Sequence, residues 1–203
     1  MIPTYAVVPS YGRPCLKQCL DALLPQVDRV FLIQTQPFTP PVAAADLTCL
    51  PWSGAERNIS AWWNLGLDAA AADAGGQPHD VLVINDDAIA PPHLTGALSA
   101  AMRAGTADLA YPAVPGREWI TGWCFMLRGE TGLRADPQFA WWYSDDDLCL
   151  QAKAAGGVAR AYGCQVTHLY PGGHDQAVMA GRTVADQELY NAKWDYATRS
   201  GTA

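Results

Sequence analysis

The chain predicts a single α/β domain, with a mainly parallel central sheet flanked by helices. Three observations lead there. Short apolar, β-rich runs alternate with helical patterns along all 203 residues, the order that builds parallel sheets through helical crossovers. Several of those runs are apolar throughout instead of alternating, so both faces of the sheet must be covered. No stretch reads as a linker, an internal repeat or a low-complexity tract, and the length suits one domain.

Thr4 to Pro9 is an apolar strand running into the turn sequence Pro-Ser-Tyr-Gly-Arg-Pro. Pro14 suits the first turn of a helix reaching about Leu24. Arg29 to Gln34 and Leu47 to Leu50 read as strands, and the Pro-rich stretch from Pro37 to Pro41 as a loop. Ile59, Trp62, Trp63, Leu67 and Ala70 recur at helical spacing, which predicts a helix over Glu56 to Ala72 stopped by Gly75-Gly76. Asp80 to Ile84 is a buried strand that runs straight into Asn85-Asp86-Asp87. Pro91-Pro92 opens a helix to about Ala104, and strands follow at Leu109 to Tyr111 and Ile120 to Leu127. Asp145 to Ala155 is helical, with Ser144 as its N-cap and Gly156-Gly157 as its stop. Val158 to Val166 is extended, and Val184 to Tyr196 forms a closing helix.

Half of the residues are hydrophobic, enough for a sizeable core. The formal charge is -7 and the pI near 4.9, against the basic footprint that nucleic-acid binding needs, though a local groove of Arg117, Arg128, Arg134, Arg160 and Arg182 stays open. The N-terminus lacks the pattern of a signal peptide, and no apolar run reaches the roughly 18 residues of a membrane span. Cys15, Cys19, Cys49, Cys124, Cys149 and Cys164 are scattered through apolar contexts, the pattern of buried free thiols in a reducing cytoplasm.

Sheets of this kind bind ligands at the carboxyl ends of their strands, and two acidic clusters stand at element ends. Asn85-Asp86-Asp87 is a good turn sequence, and it also presents hard oxygens on a rigid support, as Mg²⁺ or Mn²⁺ on a diphosphate requires. Ser144-Asp145-Asp146-Asp147 suits a helix start, but three adjacent aspartates exceed what capping needs, so one of them is a candidate general base. In the tail Thr167 to His174, His168 follows a strand and is a candidate third metal ligand, while Gly172-Gly173 lets backbone approach a ligand beside His174.

In order, these pieces resemble the inverting family-two type of glycosyltransferase with the GT-A fold, in its compact bacterial or phage form. Val7 to Pro14 is similar to the family's first strand and nucleotide loop. Asn58, Asn64 and Gly66 resemble its helix with spaced asparagines beside the nucleoside. Ile84 to Asp87 is similar to the D-x-D segment, with Asn85 at its first position. Gly122 to Leu127 resembles the glycine-led strand on the acceptor side. Trp142 to Leu150 resembles the aromatic, E-D-x-D-L and helix stretch, with Ser144 in place of the glutamate. Ala185 to Trp194 resembles the closing helix with its Lys-Trp pair.

The resemblance implies a GT-A-like, Rossmann-related domain over 1–203, with a nucleotide-sugar half at 1–112 and an acceptor half at 113–203. Pro9, Tyr11, Arg13, Asn58, Asn64, Asn85 and Asp86 are expected on the donor. Asp87 and His168 are expected on Mn²⁺ or Mg²⁺. Asp145 is the expected base, or Asp146 if the register slips by one. Gly122, Trp123, Trp142, Asp147 and His174 are expected on the acceptor. Trp123, Trp141 and Trp142 offer flat faces for a sugar or base, or pack the cleft wall. The donor is expected to be UDP-linked, although Gln34-Thr35 stands where the family often has an acidic residue near the nucleobase. The expected acceptor is a glycan or lipid-linked sugar, with a hydroxymethylated base in phage DNA close behind and a virion protein also possible in a phage. The alternative is a non-catalytic sugar- or nucleotide-binding protein on the same fold. A sugar nucleotidyltransferase fits less well, since no Gly-rich basic loop stands near the N-terminus.

Overall fold

The computed structural model describes residues 2–116, 119–170 and 176–199. Its strands are β1 (Thr4–Ser10), β2 (Arg29–Gln34), β3 (Leu47–Pro51), β4 (Asp80–Ile84), β5 (Ala88–Ile89), β6 (Leu109–Pro112), β7 (Cys124–Arg128), β8 (Val158–Ala161) and β9 (Thr167–His168). Its α-helices are α1 (Leu16–Leu23), α2 (Ile59–Ala74), α3 (Leu94–Ala104), α4 (Ser144–Ala154) and α5 (Gln176–Arg199). Seven strands form the central sheet in the order β3-β2-β1-β4-β7-β6-β8. Only β7 runs antiparallel to its neighbours. The predicted α/β class, with a mainly parallel sheet, is the one observed.

The pleat explains why the strands are apolar throughout. Ala6, Val8, Leu32, Leu82 and Ile84 point to one face, where Leu16 and Leu20 of α1 and Leu94 and Leu98 of α3 cover them. Tyr5, Val7, Phe31, Val81 and Val83 point to the other, under Trp62, Trp63 and Leu67 of α2 and Leu148 of α4. All six cysteines are free thiols, five buried and Cys49 half-buried. Among the described residues, no helix is long and apolar enough to cross a membrane.

Several boundaries differ from the sequence expectation, each for a local reason. Helix α2 begins at Ile59, not Glu56, because Asn58 is extended and its side chain caps the Ala61 N–H at 2.9 Å. Helix α3 begins at Leu94, after a turn in which the Leu94 N–H donates to the Pro91 carbonyl at 3.1 Å and His93 stands outside helical φ. Ser144 is the first residue of α4 and not its cap, and Tyr143 precedes it at φ 62°. The stretch expected at Ile120 to Leu127 is a strand only from Cys124, because the Cys124 N–H turns back to the Thr121 carbonyl. The extended run expected to Val166 breaks at Gly163, with φ 73°, and restarts as β9. The closing helix is longer than its apolar pattern suggested.

Helix α2 sits close on β1. A Cβ at Gly66 would stand 2.3 Å from Cγ1 and 2.6 Å from Cγ2 of the buried Val7, whose branched side chain has little rotameric escape. Gly66→Ala is expected to lose stability. Overpacking costs about 1–3 kcal/mol, outweighing the up to about 1 kcal/mol that alanine gains over glycine in a helix. A lower urea midpoint at unchanged slope is the expected reading, and an unchanged midpoint would show that the helix can shift.

Candidate functional site

A cleft opens at the carboxyl ends of β1, β2 and β4. It is lined by Pro9, Ser10, Tyr11 and Arg13 after β1, Thr35 after β2, and Asn85, Asp86 and Asp87 after β4, with Ile59 and Trp62 from α2. Parallel strands deliver their last residues to the same edge, which is why these separate stretches meet. Two buried carboxylates dominate the floor. Asp86 accepts from the Ser10 hydroxyl at 2.6 Å, and that oxygen accepts in turn from the Gly12 N–H at 2.9 Å. Burial, with the charge of Asp87 adding, pushes the Asp86 carboxyl up to about 6 despite Ser10 and Arg13. Asp87 holds the guanidinium of Arg13 at 2.5 Å through Oδ2.

The other oxygen of Asp87 meets a residue from much later in the chain. Strands β5 and β9 form a small antiparallel ribbon with Ala88 opposite His168, and the Leu169 N–H donates to the Asp87 carbonyl. This sets His168 Nε2 at 3.2 Å from Asp87 Oδ1. Two neighbouring ligands of a six-coordinate ion, each at about 2.1 Å, stand about 3 Å apart, so the pair fits Mg²⁺ or Mn²⁺. No group of three or more His, Cys, Asp or Glu among the described residues forms a complete cage. A cation here therefore needs further oxygens from a ligand or water, the usual habit of Mg²⁺ at phosphates.

A second cleft adjoins the first at Trp123, whose ring stacks on that of His168. Trp119, Ile120, Thr121, Gly122, Trp123, Trp142, Tyr143, Asp145 and Asp146 line it. Because β7 runs antiparallel, the residues that precede it, 120–123, reach the same end of the sheet as the loops after β1 and β4. The Trp123 ring stacks on the His168 ring at 5.1 Å and 23°, and the Trp123 carbonyl accepts the Asn85 N–H at 2.9 Å. Trp141 faces the first cleft and packs edge-on to Trp62, while its neighbour Trp142 faces the second. The two clefts thus meet at the Trp123–His168 contact. Asp145 is half-buried in the second, its pKa pushed up to about 7 by burial and then by the charge of Asp146, against backbone N–H groups including that of Gly122. A Cβ at Gly122 would stand 2.8 Å from Asp145 Oδ2, so a larger residue there must displace that carboxylate.

Not every expected site residue arrives. Pro9, Tyr11, Arg13, Asn85, Asp86, Asp87 and His168 share the first cleft, and Gly122, Trp123, Trp142 and Asp145 the second. Asn58 and Asn64 do not face the first cleft. Besides capping α2, Asn58 donates to the Pro137 carbonyl at 2.8 Å, and the Asn64 amide exchanges two hydrogen bonds with the Ala135 backbone. Amides that can give and take at once suit the clamping of a loop to a helix. Asp147 is fully buried away from the second cleft, holding Lys193 at 2.7 Å, Gln151 at 2.7 Å and the Trp194 indole N–H at 2.8 Å. His174 and Arg117 lie outside the described residues. Of the arginines that left a local groove open, Arg128 pairs with Glu130, Arg134 with Asp68 and Arg182 with Glu56. The two-half division is crossed too, since Trp141, His168 and Tyr170 join the first cleft.

Sequence reasoning missed Ser10, Ile59, Trp62 and Tyr170 in the first cleft. It also missed Asp186, a buried carboxylate of α5 that accepts the backbone N–H groups of Ala140, Trp141 and Trp142 at 3.4, 3.0 and 2.8 Å. It holds the segment that gives one tryptophan to each cleft. The only hint was an acidic residue on an otherwise weakly patterned helix.

No family model matches the chain, and no curated protein matches it. Solved structures do. The chain is similar to S. aureus TarS 1–349, with 11% identity, a TM-score of 0.59, and 78% of this chain and 58% of that one covered. The same fragment in complex with UDP matches at 10% identity and TM-score 0.59, covering 80% and 60%. GalNAc-T7 with UDP, GalNAc and Mn²⁺ matches at 9% identity and TM-score 0.68, covering 84% and 44%. The chain therefore spans less than two thirds of each of these structures. The likeness is one of fold, and that fold is the GT-A-like glycosyltransferase fold.

Proposed function

We propose that this protein is an inverting glycosyltransferase that moves a sugar from a nucleotide-sugar, UDP-linked, to the hydroxyl of a glycan acceptor. One observation carries the reading: the Asp86–Asp87–His168 cleft and the Asp145 cleft adjoin at the Trp123–His168 contact, at the same end of the sheet. Displacement at a sugar carbon needs a leaving-group site and a base on opposite faces of one atom. The fold likeness to structures that hold UDP, one of them also Mn²⁺, supports the donor class.

In this reading Pro9, Tyr11, Asn85 and Asp86 seat the nucleotide part of the donor, with Arg13 beside the diphosphate. Asp87 and His168 hold Mn²⁺ or Mg²⁺. When bound, the cation supplies charge compensation for the departing diphosphate. Asp145 takes the proton from the acceptor hydroxyl, which attacks the anomeric carbon from the face opposite the donor phosphate. Gly122 leaves room at Asp145, and Trp123 and Trp142 offer faces for a sugar ring. Asp147, Asn58 and Asn64 act as supports.

A glycan suits the surface better than DNA. Tyr11, Trp119, Tyr162 and Tyr170 are exposed in loops next to β1, β7, β8 and β9, flat apolar faces of the kind that stack on sugars. The net charge is -7, and three of the candidate groove arginines are paired with carboxylates.

The test needs no knowledge of the acceptor. A panel of nucleotide-sugars with Mn²⁺ is expected to give slow release of nucleotide from a UDP-sugar, abolished by EDTA. Binding without release under any metal would favour a non-catalytic sugar-binding protein. Full activity in EDTA would remove the cation from Asp87 and His168. A second expectation concerns pH. A base must be deprotonated, so kcat/KM for transfer should rise with pH along a limb near the value of about 7 set by the surroundings of Asp145. A profile flat across neutral pH would exclude Asp145 as the group that limits the rate.

A further inference from the structure

We infer that Arg13 is a charge latch on Asp87, which makes cation binding in the first cleft depend on the diphosphate. The inference rests on the proposed donor and cation, and it concerns the order in which the site accepts them. Arg13 is well held. Gly12, at φ 87°, turns the chain after β1 with its N–H on the Ser10 hydroxyl, and a Cβ there would stand 2.8 Å from the Phe38 ring. Arg13 Nε donates to the Tyr11 hydroxyl at 2.7 Å, and the guanidinium lies 4.9 Å from the centre of the Tyr11 ring. From there it reaches Asp87 Oδ2 at 2.5 Å and stands 3.7 Å from Asp86 Oδ1.

Both oxygens of Asp87 are thus engaged, Oδ2 by Arg13 and Oδ1 by His168. The pair is poorly screened, with the Arg13 side chain 17% and that of Asp87 4% exposed. Arginine cannot shed its proton to make room for another cation. A divalent ion arriving alone must either displace the guanidinium from Asp87 or sit beside its charge, and both are unfavourable. A diphosphate changes that balance. Its oxygens suit the planar fork of arginine, and Arg13 lines the same cleft as Asn85, Asp86 and Asp87. Turning to the phosphates, Arg13 would keep a counter-charge while releasing Asp87 Oδ2. Cation and diphosphate then favour each other, by the same factor in both directions.

The experiment is a calorimetric titration of Mn²⁺ into wild type, Arg13→Gln and Arg13→Lys, each with and without saturating UDP, with folding checked by circular dichroism. Wild type is expected to bind Mn²⁺ at least tenfold more weakly without UDP than with it. Arg13→Gln should bind Mn²⁺ alone at least tenfold more tightly than wild type, and UDP should add correspondingly less. Arg13→Lys keeps the charge and should bind Mn²⁺ alone as weakly as wild type. If Arg13→Gln leaves the affinity for Mn²⁺ alone unchanged or lower while UDP still promotes binding, the latch is wrong and the cation site stands. If neither wild type nor Arg13→Gln binds Mn²⁺ even with UDP, the cation reading falls and the latch with it.

Discussion

Asp145→Asn is expected to lower the rate of transfer by about 10²–10⁴-fold, the usual contribution of a positioned general base, while leaving the fold intact. The asparagine keeps the shape and still accepts the Gly122 N–H, but it cannot take a proton. Stability gives an independent check with a definite sign. In the folded chain burial, and then Asp146, raise the Asp145 pKa from 3.8 to about 7. A group whose folded pKa lies above its unfolded value favours the fold when protonated, and that contribution is lost as pH rises from the lower value through the higher one. Wild type thus carries an ionisation penalty above neutral pH that the variant lacks. Asp145→Asn is expected to melt higher than wild type in mildly alkaline buffer and to match it in acid. Transfer at near wild-type rate by the folded variant would exclude Asp145 as the base. Asp146 would be next, since it lines the same cleft and its carboxyl is also raised by burial.

Two positions further on, the expected effect falls on stability instead. Asp147→Ala removes the shared acceptor of Lys193, Gln151 and the Trp194 indole. The Asp147 side chain is fully buried and that of Lys193 about one-third exposed, at 34%. Breaking a buried pair costs about 3–5 kcal/mol, and because Lys193 is partly exposed and keeps Asp136 at 2.8 Å, the loss is expected at or below the lower end, about 3 kcal/mol at most. Urea unfolding followed by tryptophan fluorescence checks it. Where the variant is still folded, release of nucleotide from the donor should persist, because Asp147 lines neither cleft. A stable variant that has lost only acceptor transfer would return Asp147 to the acceptor site.

These adjacent aspartates mark how far the sequence could be read. Successive helix residues point about 100° apart, so Asp145, Asp146 and Asp147 cannot all face one cleft: the first two line it and the third is buried behind. The family register favoured Asp145, whereas only the packing of α5 shows Asp147 taken up by Lys193 and Trp194. Asn58 and Asn64 show the same limit. Their spacing is visible in the sequence, but a side-chain amide serves a nucleoside or a backbone loop equally well, and the 135–137 segment claimed both. His168 was legible as a candidate because it follows a strand. Its meeting with Asp87, 81 residues away, depends on the β5–β9 ribbon, whose two-residue strands leave no periodic signal.

The sequence by itself determined the architecture and the address of the candidate site. Apolar strands alternating with amphipathic helices must bury both faces of a parallel sheet, and such a sheet gathers the turns after its strands, here Pro9 to Arg13 and Asn85 to Asp87, on one edge. The tertiary structure alone decided which polar groups remain available to a ligand. It aimed Asp145 into a cleft, closed Asp147 inside the helical layer, and set Arg13 on Asp87. The physical reason is range: periodicity reports which face of an element is buried, whereas a carboxylate's role depends on which donor reaches it from a distant part of the chain.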